Sequence, residues 1–251
     1  MNGANKKRAN MITPTRQVVV YPDANTVAAA TAARLLTELT DVLAVQDRAD
    51  IVLTGGSVGI ATLRAVAQNP LAQIVDWSAV HVWWGDERFV DSGDPERNEG
   101  QAQEALLSHL PIADENIHRM GSASDYDAPE TAAAIYHDEI AHQGAAEFDV
   151  LMLGVGPDGH VASLFPGHEV YLHGAAEVCV VTDSPKPPPV RVTLSVGAIN
   201  RAKKVWLVAA GEEKAHAIAE CLQDNAAYPG AAVHGTEQTL WLIDTAAASK
   251  A

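Results

Sequence analysis

The chain has 251 residues, a length that suits one large α/β domain or two small ones. Apolar residues make up 47% of it and charged residues 20%, the proportions of an ordinary globular protein, which excludes a fibrous or disordered one. Seventeen Lys and Arg against 32 Asp and Glu leave a formal net charge of −15, which repels nucleic-acid phosphates and anionic lipids. We therefore expect neither nucleic acid nor a membrane as a partner.

The polar residues 1–14 are expected to form a flexible N-terminal segment ahead of a single domain at 15–251. No run reaches the roughly 18 apolar residues of a membrane span, and the stretch after the basic residues 6–8 is too short and polar for a signal peptide. We therefore predict a cytoplasmic protein, with Cys179 and Cys221 reduced and packed. The choice between a monomer and a homodimer stays open.

Short apolar strands and amphipathic helices alternate along the chain. We predict strands at 17–21, 51–54, 79–84, 148–153, 178–182, 204–209 and 239–243. We predict helices at 25–45, from the glycine turn to 68, and at 98–110, 128–142 and 212–222. This pattern indicates a single α/β domain of doubly wound, modified Rossmann-like type, whose mostly parallel sheet has helices on both faces. In such a fold ligands bind beyond the carboxyl ends of the strands.

The first unusual strand end is Thr-Gly-Gly-Ser at 54–57, between a strand and a helix. Amides at this position can point at an anion, and the helix dipole favours negative charge there. Gly55, Gly56 and Ser57 are therefore candidate phosphate ligands. The absence of a following Lys-Ser or Lys-Thr argues against a nucleoside triphosphate. The alternative is a tight turn that needs glycine only for its geometry.

The second is Trp-Gly-Asp-Glu-Arg at 84–88, where charged residues directly follow a buried strand. Asp86 and Arg88 are candidates for substrate contact. The alternative is a solvated loop in which Glu87 and Arg88 pair with neighbouring side chains.

The third is the segment 154–160, which matches Gly-x-Gly-x-x-Gly after a strand. A dinucleotide site should open a long helix here, but Pro166 interrupts the next segment; Asp183, at a later strand end, keeps that alternative open. We favour a turn that presents Asp158 and His160 to the crevice. A histidine there can act as a general base near neutral pH.

Two later cations, Arg191 and Lys214, are plausible phosphate partners in so acidic a chain. The alternative for both is a role in surface solubility. We predict no metal, because metal-ligand spacing is absent from His81, His118, His168 and His173.

Taken together, these segments resemble the 6-phosphogluconolactonase family. The resemblance extends to Val-Ala-Ser-Leu-Phe-Pro at 161–166, Ser-Pro-Lys-Pro-Pro at 184–188 and Arg-Val-Thr-Leu at 191–194. Order and spacing match from about residue 15 to 248. The wider superfamily, which includes glucosamine-6-phosphate isomerase, shares the late Gly-x-x-Lys at 211–214. The resemblance implies hydrolysis of 6-phosphoglucono-δ-lactone to 6-phosphogluconate, the second step of the oxidative pentose phosphate pathway, without a cofactor.

The resemblance also implies roles for individual residues. His160 would take a proton from the water that attacks the lactone carbonyl, Asp158 would support His160, and Arg88 would stabilise charge on the carbonyl oxygen. Asp86 and Asn98 would contact substrate, with the role of Asp86 left open. The phosphate would be held by Gly55, Gly56, Ser57, Arg191 and Lys214.

Two departures from the family pattern bear on the site. Val161 stands where the family has Thr, and Arg97 and Glu99 flank Asn98 where it often has Ser and Tyr.

Two alternative functions were also considered for this sequence, an amino-sugar phosphate isomerase and a sugar-phosphate sensor. Isomerase relatives carry a carboxylate after Asp-Gly-His, whereas 162–166 has none, which argues against amino-sugar isomerisation. A sugar-phosphate sensor would carry a DNA-binding module, and we expect the fifteen or so residues before the first strand to be too few for one.

Overall fold

The computed structural model describes residues 15–145, 147–174 and 176–251; the predicted N-terminal segment lies outside them. The strands in these ranges are β1 (Thr15–Tyr21), β2 (Ala49–Leu53), β3 (Val80–Trp84), β4 (Asp86–Arg88), β5 (Val150–Gly154), β6 (Val178–Val181), β7 (Arg191–Leu194), β8 (Lys204–Ala209) and β9 (Gln238–Asp244). The helices are α1 (Ala24–Leu43), α2 (Ser57–Gln68), α3 (Asn98–Ala105), α4 (Pro129–Gln143), α5 (Glu169–His173), α6 (Val196–Ile199), α7 (Ala215–Leu222) and α8 (Pro229–Ala232).

Six strands pair in parallel in the order β1-β9-β8-β5-β2-β3. Buried apolar side chains cover both faces of this sheet: α1, α2 and α3 pack on one face, and α4, α6 and α7 on the other. In β2, Ile51 and Leu53 point to the first face and Val52 to the second, which explains the continuous apolar run of a strand buried on both sides. The predicted doubly wound fold is confirmed.

A smaller antiparallel sheet, in the order β4-β7-β6, was not foreseen. The strand predicted at 178–182 belongs to it and not to the parallel sheet. Its link to the main sheet is direct, because Gly85, between β3 and β4, accepts a hydrogen bond from the amide of Leu194.

Two predicted helices are shorter than expected. The predicted helix at 98–110 ends at Ala105 and is followed by a 3-10 turn, and the one at 212–222 begins with the 3-10 turn Glu212–Lys214 before α7. That turn places Lys214 just past the end of β8, at the carboxyl edge of the sheet.

The chain reverses its direction of strand addition between β2 and β5. It adds β3 on one side of β2, and then β5, β8 and β9 in turn on the other. The loops after β2 and β5 therefore diverge over a crevice. This reversal is the topological switch point of the sheet, the place where open α/β sheets bind ligands. The amide of Gly154 donates to Thr54 Oγ1 across this crevice, at 3.0 Å.

Cys179 and Cys221 are free and buried, as predicted. In the part of the chain described, no helix has the length and apolar character needed to cross a bilayer.

Candidate active site

A cavity of about 310 Å³ lies over the carboxyl edge of the parallel sheet, at the crevice between β2 and β5. Its wall joins the glycine turn after β2, strand β4 with the start of α3, the loop after β5, the proline-rich loop before β7, and the turn before α7. Nine of the ten predicted site residues line it: Gly55, Gly56, Ser57, Asp86, Arg88, Asn98, His160, Arg191 and Lys214. The tenth, Asp158, is hydrogen-bonded to His160.

The glycine turn leaves the first amides of α2 facing the cavity. Gly56 occupies the helix N-cap with a φ of 80°, a conformation that side chains rarely adopt, and no side chain caps the helix. Gly55 is required for another reason, since a Cβ there would lie 2.1 Å from Asn98 Oδ1. The turn therefore brings uncapped amides and a helix dipole to the cavity, an arrangement that favours an anion.

The loop after β5 holds His160 in one orientation. Its Nδ1 lies 2.5 Å from Asp158 Oδ1, and its ring packs against Phe165. Beside a carboxylate, Nδ1 carries the proton and donates it, which leaves Nε2 as the basic nitrogen. Burial raises the pKa of Asp158, but the hydrogen bond and charge of His160 and the charge of Lys186 outweigh it and hold that pKa well below its usual range.

The Gly-x-Gly-x-x-Gly match does not form a dinucleotide site. No helix follows the loop until α5 begins at Glu169. Asp183, the candidate ribose ligand, is exposed and pairs with His168 outside the cavity.

Strand β4 and the start of α3 are joined through Glu87. Its Oε1 accepts from the amides of Arg88 and Asn98, and its Oε2 accepts from the amide of Glu99. Burial raises the pKa of Glu87. The charge of Arg97, 3.8 Å away, and the hydrogen bonds from the three amides act in the opposite direction. Glu87 thus pairs with neighbours, but in a buried strand and not in the solvated loop of the alternative interpretation, and its contacts fix two cavity residues, Arg88 and Asn98.

Asp86 is buried in the cavity wall, and each of its carboxylate oxygens has one polar neighbour. Ser163 Oγ donates to its Oδ2 at 2.6 Å, and Asn98 Nδ2 lies 3.4 Å from its Oδ1. Arg191 Nη1 is 4.0 Å from the same carboxylate. Asp86 is therefore held firmly at the edge of the cavity.

Arg191 and Lys214 differ in how far their cationic groups are already engaged. Arg191 donates from Nε and Nη2 to three carbonyls of the proline-rich loop, those of Lys186, Pro187 and Pro188. The Lys214 ammonium has no hydrogen bond or ion pair within 4 Å in the described ranges. Burial lowers the pKa of Lys214, and the charge of Glu213 opposes this effect. Lys214 is thus the cation best placed to bind an incoming anion.

Two residues of the site, Lys186 and Ser163, were not predicted from the sequence, and Glu87 was named only as a residue that pairs with its neighbours. Lys186 lines the cavity beside His160, and Ser163 and Glu87 hold the residues described above. The available signal was the family resemblance, because Lys186 lies in segment 184–188 and Ser163 in segment 161–166.

The family departures lie outside the cavity wall. Val161 packs in the hydrophobic core, while Arg97 pairs with Glu87 and Glu99 pairs with Arg119.

The fold and the site define an α/β protein with a crevice lined by cationic side chains and a histidine–carboxylate pair at its switch point. Residues 22–241 match the family model described as glucosamine-6-phosphate isomerases/6-phosphogluconolactonase. The chain belongs to this family.

Individual relatives support this assignment to the family. A 6-phosphogluconolactonase of Streptomyces coelicolor is 46% identical over 250 residues, covering 94% of this chain and 95% of its own, and one of Mycobacterium tuberculosis is 41% identical over 242 residues, covering 93% and 97%. Among solved structures, a 6-phosphogluconolactonase of Thermotoga maritima superposes with a TM-score of 0.82 at 27% identity, covering 92% of this chain and all of its own.

Proposed function

We propose that this protein hydrolyses 6-phosphoglucono-δ-lactone to 6-phosphogluconate, the second step of the oxidative pentose phosphate pathway. The observation that carries the proposal is the Asp158–His160 pair, which presents a basic Nε2 within a cationic cavity at the switch point. The names of the relatives support the same substrate.

The phosphate of the substrate occupies the glycine-turn end of the cavity. The amides at Gly55, Gly56 and Ser57 donate to it, and Lys214 supplies a charge-assisted contact. Arg191 adds positive charge to the wall while its Nε and Nη2 groups stay bonded to the carbonyls of the proline-rich loop.

The lactone carbonyl then lies towards His160 and Arg88. His160 Nε2 takes a proton from water as the water oxygen bonds to the carbonyl carbon, and Asp158 stabilises the imidazolium. The guanidinium of Arg88 faces the negative charge that develops on the carbonyl oxygen. Collapse of the tetrahedral intermediate breaks the bond to the ring oxygen, which receives the proton from His160. The base is restored, and no cofactor takes part.

The segment after His160 supports hydrolysis over isomerisation. Residues 162–166 provide no carboxylate for opening an amino-sugar ring. Asp86 Oδ2 accepts a hydrogen bond from Ser163, while Oδ1, with only a 3.4 Å contact from Asn98, is assigned to a substrate hydroxyl.

The decisive experiment compares wild type with His160→Ala. The lactone is generated in situ and 6-phosphogluconate is followed through a coupled dehydrogenase, with spontaneous opening subtracted. Loss of a general base costs roughly 10²- to 10⁴-fold, so the variant should approach background while still binding 6-phosphogluconate. His142→Ala, an exposed histidine on α4, serves as the matched control and should retain full activity.

Two outcomes would contradict the proposal at different levels. Acceleration that survives His160→Ala would keep the lactonase but reassign the base. A folded wild type with no acceleration would refute the lactonase, and release of ammonia from glucosamine 6-phosphate would then identify the isomerase.

A further inference from the structure

Lys186 faces the Asp158–His160 pair from the proline-rich loop. Its Nζ lies 3.3 Å from His160 Nδ1 and 3.6 Å from Asp158 Oδ1, and its side chain is 39% exposed. The ammonium therefore sits at the side of the imidazole opposite to the nitrogen that would meet water.

The loop that carries Lys186 is held at several points. Ser184 Oγ donates to the Lys186 carbonyl at 2.8 Å and accepts from its amide at 3.2 Å. Arg191 Nη2 donates to the carbonyls of Lys186 and Pro187, and its Nε donates to that of Pro188, at 3.0–3.2 Å. With the Arg191 side chain only 5% exposed, its N–H groups act as a buried clamp on this loop.

We propose that Lys186 is a positioning residue for the proposed lactone hydrolysis: its ammonium opposes protonation of His160 and so keeps the base neutral towards lower pH. Arg191, by clamping the loop, holds that charge in place. The kinetic part of this inference rests on the proposed function.

The proposed mechanism needs a neutral imidazole, because an imidazolium cannot accept a proton from water. A positive charge at Lys186 opposes a second positive charge on the ring. The 2.5 Å contact with Asp158 already uses the Nδ1 proton, so Lys186 cannot hydrogen-bond to that nitrogen and acts on it as a neighbouring positive charge. The other charged side chains lining the same cavity are Asp86, Arg88, Arg191 and Lys214.

The test is the pH profile of kcat/KM for Lys186→Met and Lys186→Arg. A charge at this distance typically moves such a titration by about one to three units, and partial exposure reduces the effect, so Lys186→Met should move the acid limb up by about one pH unit. Below that limb its kcat/KM should be about tenfold lower than that of wild type. Lys186→Arg retains the charge and should restore the wild-type limb.

The same variants can be tested without catalysis. NMR of the imidazole ring of His160, assigned with His160→Gln, follows its titration directly. The midpoint should rise in Lys186→Met and stay near wild type in Lys186→Arg.

The outcomes separate the possible roles. A uniform rise in KM with an unmoved acid limb would make Lys186 a substrate ligand and overturn the proposal, as would an unchanged profile and NMR midpoint. If the wild type fails to hydrolyse the lactone but the NMR midpoint moves as expected, the proposed function fails while the effect of Lys186 on His160 stands.

Discussion

Gly156→Ala tests whether catalysis depends on the placement of the His160–Asp158 pair. Gly156 lies beneath that pair, and a Cβ built on it would be 2.0 Å from His160 Nδ1, 2.1 Å from His160 Cε1 and 2.6 Å from Asp158 Oδ1. Neighbouring heavy atoms do not approach a Cβ within 3.0 Å, so the imidazole ring must move by about 1 Å or more. The substitution leaves both functional side chains present and changes only their position.

The magnitude follows from this displacement. A misplacement of about 1 Å can cost about 10²-fold in rate, and separating Nδ1 from Asp158 removes the support of the imidazolium as well. We therefore expect kcat/KM to fall by at least about 10²-fold. The free energy of unfolding should fall by only about 1–3 kcal/mol, because the partly exposed ring can swing towards the cavity.

The measurement is the coupled 6-phosphogluconate assay together with urea unfolding. Gly100→Ala is the matched control, because Gly100 lies in α3 with nothing within 4 Å of the added Cβ. Alanine there should leave activity unchanged and stabilise the helix by about 0.5–1 kcal/mol. A folded Gly156→Ala variant with activity within threefold of wild type would refute the argument that this pair must be held in place.

Three further predictions concern other residues. Lys214→Met should raise KM for the lactone by about 10- to 100-fold with little change in kcat, since it removes a charge-assisted phosphate contact; a fall in kcat at constant KM would contradict this. Glu87→Gln should lower the free energy of unfolding in urea by about 3 kcal/mol because it leaves Arg97 buried without its counter-charge; unchanged stability would refute that role. Burial raises the pKa of Cys179 and raises that of Cys221 to about 12. Ellman's reagent should therefore label both thiols only after unfolding, and rapid labelling of the native protein would disprove this.

Most of the parallel sheet and its helices could be predicted from local sequence patterns. Apolar runs such as 204–209 predict strands that are buried on both faces. Because these strands alternate along the chain with segments of helical periodicity, the pattern predicts a parallel sheet covered by helices on both faces. Because parallel strands end at the same edge, the glycine turn at 54–57 and the loop at 154–160 were expected to lie together. The structure brings them together at the switch point.

The small antiparallel sheet could not be predicted in the same way. β6 and β7 have four residues each, and β7 is buried throughout, so neither shows the alternation that distinguishes an antiparallel strand. The pairing of β7 with β4 joins residues 191–193 to residues 86–88, two segments far apart in the chain, and no local periodicity encodes such a contact. This sheet sets the positions of Asp86, Arg88 and Arg191 around the cavity.

The sequence by itself determined the strands of the parallel sheet and its main helices, the edge of that sheet where the candidate site lies and the chemical groups available there, because hydrophobic periodicity and turn chemistry are local properties. Only the tertiary structure decided how those groups are used. It engages Arg191 with carbonyls, leaves Lys214 available to an anion, and brings Lys186 beside His160 across 26 residues of sequence. These different roles depend on which donors and acceptors come into contact when distant segments pack together. Only the folded chain as a whole determines those contacts.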